Sequence, residues 1–261
     1  MKNNNIKVAV SQYSVPQNHK DAFQKAFSIV TEASKQKVDL IVLPETALGM
    51  LADVKRISIS YFDDVKKIAK KNRVSIATSF YNKGDNNKIY NVGVLVDRNG
   101  NLTFTYKKIY LAPPERDIDK ISPGNKLKTA LTPLGKIGML ICKDGFTKYS
   151  HFLYLKYGKL HTDIIVVPTW SLGTFKINTE EYIKTSITYG AFLSRCYILV
   201  AGNTNKETKS FGQSMIIDPI DGIIKIGSRS KEELLIKTID INKIKLAREF
   251  DKKWQPKKRV L

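Results

Sequence analysis

The 261-residue sequence holds only two cysteines, Cys142 and Cys196, and neither sits in a CxxC pair. That excludes a disulfide framework and a zinc site of paired cysteines and histidines, and it points to a reducing compartment. Histidine is nearly as scarce. His19, His151 and His161 are the only three, and the local sequence marks none of them as a catalytic partner rather than a surface or structural residue. No stretch reaches the roughly 18 consecutive apolar residues that a spanning helix needs. The start, MKNNNIKVAVSQ, runs from a polar tip into a strand with no apolar signal region or cleavage site, so a cytoplasmic location is expected. Arginine is rare as well. The formal charge of +20 is carried by lysine, dispersed beside Asn and Ile, and the side chain suited to bidentate phosphate recognition is mostly missing.

The densest basic groups are Lys66, Lys67, Lys70 and Lys71 on one predicted helix and Lys252, Lys253, Lys257, Lys258 and Arg259 at the end of the chain. They read as a solvated face and a solubilising tail. A basic nucleic-acid-binding protein is the rival class. Against it stand the scarcity of Arg and the absence of an aromatic stacking platform or other recognised motif, so no specific nucleic-acid partner and no membrane partner are expected.

What is present is strand. Runs of apolar and β-branched residues recur at 6–12, 38–44, 74–80, 89–97, 102–108, 136–142, 163–168, 197–203, 214–219, 222–226 and 234–240. Helix-length segments at 19–36, 57–71 and 179–194 lie between some of them, the first with Ala22, Phe23, Ala26, Phe27, Val30 and Ala33 at spacings of three and four. Asn99-Gly100 and Asp221-Gly222 lie between strand runs as hairpin turns. Strands alternating with helices, plus hairpins, predict an α/β sandwich with mixed sheets, and the length suffices for a large core. No repeat, low-complexity segment or linker divides the chain. The expected organisation is one domain over residues 1–241 and a basic C-terminal tail over residues 242–261.

Three stretches carry possible chemistry. GKIGMLICKDGF ends an apolar run on Cys142, where a free cysteine is either a small buried hydrophobe or a nucleophile, and a nucleophile needs a base or a cation to favour its thiolate. VDLIVLPETALG puts Glu45 directly after a buried-type strand, either as a loop carboxylate or as that base, since α/β folds gather their sites at the carboxyl ends of strands. TYKKIYLAPPERD leads from a strand into a Pro-containing loop with Glu115. Lys108 there could steady a thiolate and an oxyanion, while Lys107 should point the other way if the strand is regular.

LIVLPETALG, TYKKIYLAPPERDIDKISPGN and KIGMLICKDGF, in that order and at these separations, resemble the three catalytic segments of the nitrilase superfamily of carbon-nitrogen hydrolases. VAVSQ, DIIVVPTW, YILVAGNT and GQSMIIDPIDG are similar to further strands of that family, so the resemblance spans about residues 6 to 240. It implies an α-β-β-α sandwich of two mixed sheets flanked by helices, with Cys142 as nucleophile, Glu45 as general base, Lys108 beside the oxyanion and Glu115 as a second glutamate positioning groups around the site. The backbone N–H of Lys143 would be the second oxyanion donor.

The activity so implied is hydrolysis of a non-peptide carbon-nitrogen bond in a small amide, through a thioester and with no metal or organic cofactor. N-acyl transfer or true nitrilase chemistry shares the same thioester stage. Pairing through the helical faces, as a homodimer or larger assembly, is implied as well. The sequence departs from the family pattern at Tyr110, where His is common, at Lys143, where an aromatic residue is common, and at Ser194-Arg195, where Glu-Asn is common. Those positions flank the pocket and the helical face, so substrate and subunit contact are where this chain is expected to be individual.

Overall fold

Along β1 (Asn5–Gln12) the side chains alternate, and both faces are buried. Val8 and Val10 join one apolar core together with Leu40 and Val42 of β2 (Leu40–Val42), while Ala9 and Ile41 join a second core on the opposite face. A strand covered on both sides reads as a continuous apolar run, which is why these stretches stood out in the sequence. The computed structural model describes residues 5–48, 61–84, 87–171, 179–205 and 209–254.

Two six-stranded sheets result. The first also contains β3 (Ser75–Lys83), β4 (Ile89–Val96), β5 (Leu102–Lys107) and β12 (Glu233–Asp240), in the order β12-β1-β2-β3-β4-β5. The second is built from β6 (Thr129–Thr132), β7 (Gly135–Met139), β8 (Ile164–Pro168), β9 (Tyr197–Ala201), β10 (Met215–Asp218) and β11 (Gly222–Ile226), in the order β11-β10-β9-β8-β7-β6. Each has three central parallel strands, β1-β2-β3 and β9-β8-β7, with antiparallel strands outside them. Helices α1 (His19–Lys35) and α2 (Tyr61–Asn72) make the crossovers of the first sheet, and α3 (Ser150–Lys159) and α4 (Thr179–Ser194) those of the second. The inner faces of the sheets meet in one core, and α1 and α2 cover the outer face of the first. This is the α-β-β-α sandwich that the resemblance implied.

Glycine lets α3 and α4 approach closely. A Cβ at Gly138 of β7 would lie 2.5 Å from the Tyr157 ring, and one at Gly190 of α4 would lie 2.4 Å from the Tyr154 ring. Both tyrosines are fully buried, Tyr157 against the sheet and Tyr154 against α4.

Several elements differ from the sequence reading. The strand expected over 136–142 ends at Met139, after which the chain turns, so Cys142 lies beyond the strand. The strand expected over 38–44 is regular only over Leu40–Val42. β6 is a four-residue edge strand, too short to read from composition. Of the helix expected over 57–71, residues 57–60 lie outside the described residues. Residues 242–254, read as the beginning of the tail, form helix α5 (Asn242–Trp254), with Ile244 and Ala247 buried and Arg248 donating to the Thr162 carbonyl. Lys67, Lys70 and Lys71 of α2 are exposed, whereas Lys257, Lys258 and Arg259 lie outside the described residues. Among the described residues no helix is long and apolar enough to cross a membrane.

Candidate active site

Beyond the carboxyl ends of the parallel strands the two sheets come together around Glu45. The chain leaves β2 with the Leu43 N–H on the Ala77 carbonyl at 2.9 Å, and the Thr78 hydroxyl donates to the Pro44 carbonyl at 3.0 Å. The Glu45 N–H then reaches across to the Thr169 carbonyl, just past β8, at 3.4 Å. Thr46 follows in the left-handed region at φ 56°. The side chain of Glu45 is thereby fixed between the sheets and only 4% exposed.

Lys108 follows β5 and is held on both sides: its N–H donates to the Asn91 carbonyl at 3.0 Å, and its carbonyl accepts from Gly124 at 2.7 Å. Lys107 points the other way, exposed, with its ammonium 3.7 Å from the Tyr90 ring centroid. Lys108 is 1% exposed. Burying an ammonium is costly unless it is paired, and this one is paired twice. Its Nζ lies 2.7 Å from Glu45 Oε1 and 2.7 Å from Glu115 Oε2. Glu115 arrives on one turn of π-helix, Pro114–Ile118, and its Oε2 also accepts the Ala112 N–H at 2.7 Å. Such single π-turns recur at functional sites.

Cys142 opens a 3-10 turn, Cys142–Gly145, at φ 46°, a left-handed conformation that costs a non-glycine residue about 1–2 kcal/mol. Asp144 holds the turn in place. Fully buried, it accepts the N–H groups of Ile141 (3.1 Å), Ile109 (3.1 Å) and Tyr110 (2.6 Å) and the Tyr106 hydroxyl (2.7 Å). One carboxylate thus ties the cysteine turn to the loop after Lys108. Burial raises the Asp144 pKa to about 6, against the lowering effect of those donors, the Tyr110 N–H first among them. The turn is framed by hydrogen bonds from the Asp144 N–H to the Ile141 carbonyl (3.0 Å) and from the Phe146 N–H to the Lys143 carbonyl (3.3 Å).

Trp170 joins the cysteine to the glutamate. Its N–H donates to Glu45 Oε2 at 3.0 Å, and its carbonyl lies 3.7 Å from Cys142 Sγ. The Cys142 thiol lies within electrostatic reach of the Glu45 carboxylate. Burial raises the pKa of Glu45 above the ordinary carboxylate range. Lys108 counters that and Glu115 adds to it. Burial, then Glu45, pushes the Cys142 thiol well up, so the resting thiol is protonated beside a carboxylate able to take its proton. For Lys108 burial acts downward, yet Glu45 and then Cys142 and Glu115 hold the ammonium well above its usual value. Glu115, although burial acts upward, is held low by Lys108 and by Asn91.

Cys142 and Lys143 open onto a cavity of about 640 Å³, walled by Pro113, Phe146, Trp170 and Ile183. A smaller cleft of about 220 Å³ lies at the other end of the parallel strands, by Asp39 and Arg98, far from these groups. Among the described residues no group of three His, Cys, Asp or Glu side chains is placed to hold a metal ion.

The structure therefore brings together Glu45, Lys108, Glu115 and Cys142, with Lys143 next in the chain. The histidines stay outside, His19 on Asp64 at 2.8 Å and His161 in the turn before β8. Sequence reasoning missed Asn91, Asp144 and the Trp170 backbone. Asn91 had left a signal, as a polar residue inside the apolar run IYNVGVLVD, because a buried amide must find partners.

Residues 7–249 match the family model described as carbon-nitrogen hydrolase. Among curated proteins the chain is 25% identical over 269 residues to the deaminated glutathione amidase of Dictyostelium discoideum, covering 93% of this chain and 90% of that one. It is 26% identical over 254 residues to the omega-amidase NIT2 of Danio rerio, covering 90% and 88%. Among solved structures it superposes on Saccharomyces cerevisiae Nit3, a nitrilase superfamily member, with a TM-score of 0.82 at 20% identity, covering 98% of this chain and 96% of that one.

Proposed function

The chain belongs to the carbon-nitrogen hydrolase family, and from that premise we propose that it hydrolyses a small amide through a thioester on Cys142. Glu45 accepts the thiol proton as Sγ attacks the amide carbon. The negative charge that develops on the carbonyl oxygen is met by the Lys108 ammonium and the Lys143 N–H. The protonated Glu45 then gives its proton to the departing ammonia or amine. The same carboxylate takes a proton from the water that cleaves the thioester, and Cys142 recovers its hydrogen. Glu115 keeps Lys108 oriented and charged. The observation that carries this reading is Lys108 Nζ at 2.7 Å from both carboxylates, beside a thiol that is joined to Glu45 through Trp170 and faces a cavity. The amidase names of the two curated relatives support an amide as substrate.

Mass spectrometry of the protein incubated with a panel of small amides, ureas and nitriles tests the reading. An acyl adduct should form on Cys142 and not on Cys196, and iodoacetamide at neutral pH should label the same residue first. Neither thiol is a preformed thiolate. Burial raises Cys196 to about 12, and its Sγ lies against the backbone carbonyls of Thr162 (2.9 Å) and Ser194 (3.2 Å), whereas Cys142 lines the 640 Å³ cavity. Base and access distinguish the two cysteines. Preferential modification of Cys196 would sink the assignment.

The proposal extends to a homodimer in the cytoplasm. Phe152, Leu155, Tyr182 and Tyr189 are exposed on α3 and α4, an apolar face that a second copy would cover, and two unpaired thiols suit a reducing compartment. Sedimentation of the purified protein should give twice the chain mass, and a monomer at micromolar concentration would count against pairing. Cell fractionation checks the compartment, and recovery outside the cytosol would overturn it.

A further inference from the structure

We infer that Asn91 is a positioning residue of this site: its amide bridges the two glutamates, selects the Glu45 oxygen that receives the proton and keeps that carboxylate ionised. The inference rests on the reading of Glu45 as the base and adds a group that the sequence left among the apolar residues of β4. Asn91 is fully buried, and its Nδ2 lies 2.7 Å from Glu45 Oε1 and 2.9 Å from Glu115 Oε1. Its orientation is fixed by chemistry. Turned over, the amide would aim its oxygen at two carboxylates, whereas in place it offers one hydrogen to each. The cost is visible at the other end of the group, because Asn91 Oδ1 is buried without a hydrogen-bond partner. A protein that leaves a buried acceptor unmet to place two donors gains something from those donors.

The gain lies in the division of labour between the two oxygens of Glu45. Oε1 is occupied by Lys108 Nζ and Asn91 Nδ2, both at 2.7 Å. Among the described residues Oε2 accepts a single hydrogen bond, from the Trp170 N–H at 3.0 Å, and the carbonyl of that same residue lies 3.7 Å from Cys142 Sγ. With Oε1 saturated, the proton leaving the thiol goes to Oε2. Two glutamates share one ammonium here, so the cluster of Glu45, Glu115 and Lys108 carries a net negative charge in a place that burial already makes hostile to carboxylates. A neutral double donor stabilises the ionised form of both without adding a charge that would compete for the thiolate. A second lysine would hold the carboxylates more strongly but would make Glu45 a poorer base.

The test reads Cys142 rather than turnover, so it needs no identified substrate. The rate of iodoacetamide alkylation of Cys142 is followed against pH for the parent, Glu45→Gln, Asn91→Leu and Asn91→Asp. In the parent the rate should fall at low pH as Glu45 takes up a proton. Asn91→Leu matches the amide in size and removes both donors, so the acid limb should move up by about one pH unit. Asn91→Asp adds a third carboxyl group, should move the limb in the same direction, and keeps the inference testable if the leucine variant does not fold. A merely structural role would lower thermal stability and leave the limb where it is. An unmoved limb in a folded Asn91 variant, while Glu45→Gln abolishes it, overturns the inference alone. If Glu45→Gln leaves the limb unchanged, Glu45 is not the base, and both readings fail together.

Discussion

Replacing Glu45 by Gln should lower kcat on any amide the protein turns over by roughly two to four orders of magnitude, the range expected for losing a general base. The size follows from what the substitution keeps and removes. Gln has the same length, and its oxygen can still accept from Lys108 and Asn91, which reach Glu45 Oε1 at 2.7 Å each. Its amide nitrogen then takes the place of Oε2, where it faces the Trp170 N–H and the Cys142 thiol as a donor facing donors. The thiol proton then has no base to take it, since the Trp170 carbonyl can accept a hydrogen bond but not a proton. The pH dependence has a definite sign. Burial, reinforced by Glu115 and opposed by Lys108, raises the Glu45 pKa, and only the ionised form can act, so kcat/KM of the parent should fall as pH drops through a value above the ordinary carboxylate range. In Glu45→Gln that acid limb should vanish from whatever rate remains. Circular dichroism should report an intact fold, because Lys108 keeps Glu115 as its partner at 2.7 Å. Near-parental turnover in a folded Glu45→Gln protein would remove Glu45 from the chemistry.

How far the sequence could be read depends on what kind of signal each residue leaves. Strands buried on both faces show as apolar runs, and all but one of the twelve carried such a run. β6, with the sequence TALT and side chains mostly half-buried, did not. Helix α1 was legible because only one of its faces is buried, through Ala22, Ala26, Val30 and Ala33. Helix α3, with the sequence SHFLYLKYGK, places Phe152 and Leu155 outward as well as Leu153, Tyr154 and Tyr157 inward, and this blurs the period. Glu45, Lys108 and Cys142 stood out as polar or reactive residues at the ends of strands, and the ordered resemblance of three segments joined them across about a hundred residues, which spacing alone could not do. Asn91 and Asp144 act through contacts with residues distant in sequence or in the next turn. Only the folded geometry shows that one amide meets two glutamates and one carboxylate collects four donors.

Lys108→Met removes an ammonium that two carboxylates share, and two separate consequences should be measurable. The first is kinetic. Losing an oxyanion donor costs about 3–4 kcal/mol, some hundredfold to a thousandfold in kcat, and Met keeps the unbranched stem so that packing alone cannot account for it. The second concerns charge and stability. Glu45 and Glu115 would face each other with only Asn91 between them, and breaking a buried ion pair from one side typically costs about 3–5 kcal/mol. One of the two should then take a proton, so the acid limb of any residual activity should move to higher pH. Adding Glu45→Gln to Lys108→Met relieves that repulsion. The double variant should therefore melt above Lys108→Met, while its turnover should be little worse than that of the poorer single variant, because groups acting as a unit lose their effect together. Stability and rate thus move in opposite senses along the same mutational step, which separates a working site from a merely structural ion cluster. If the two rate losses instead multiply, Lys108 and Glu45 act independently, and the shared mechanism proposed for them is wrong.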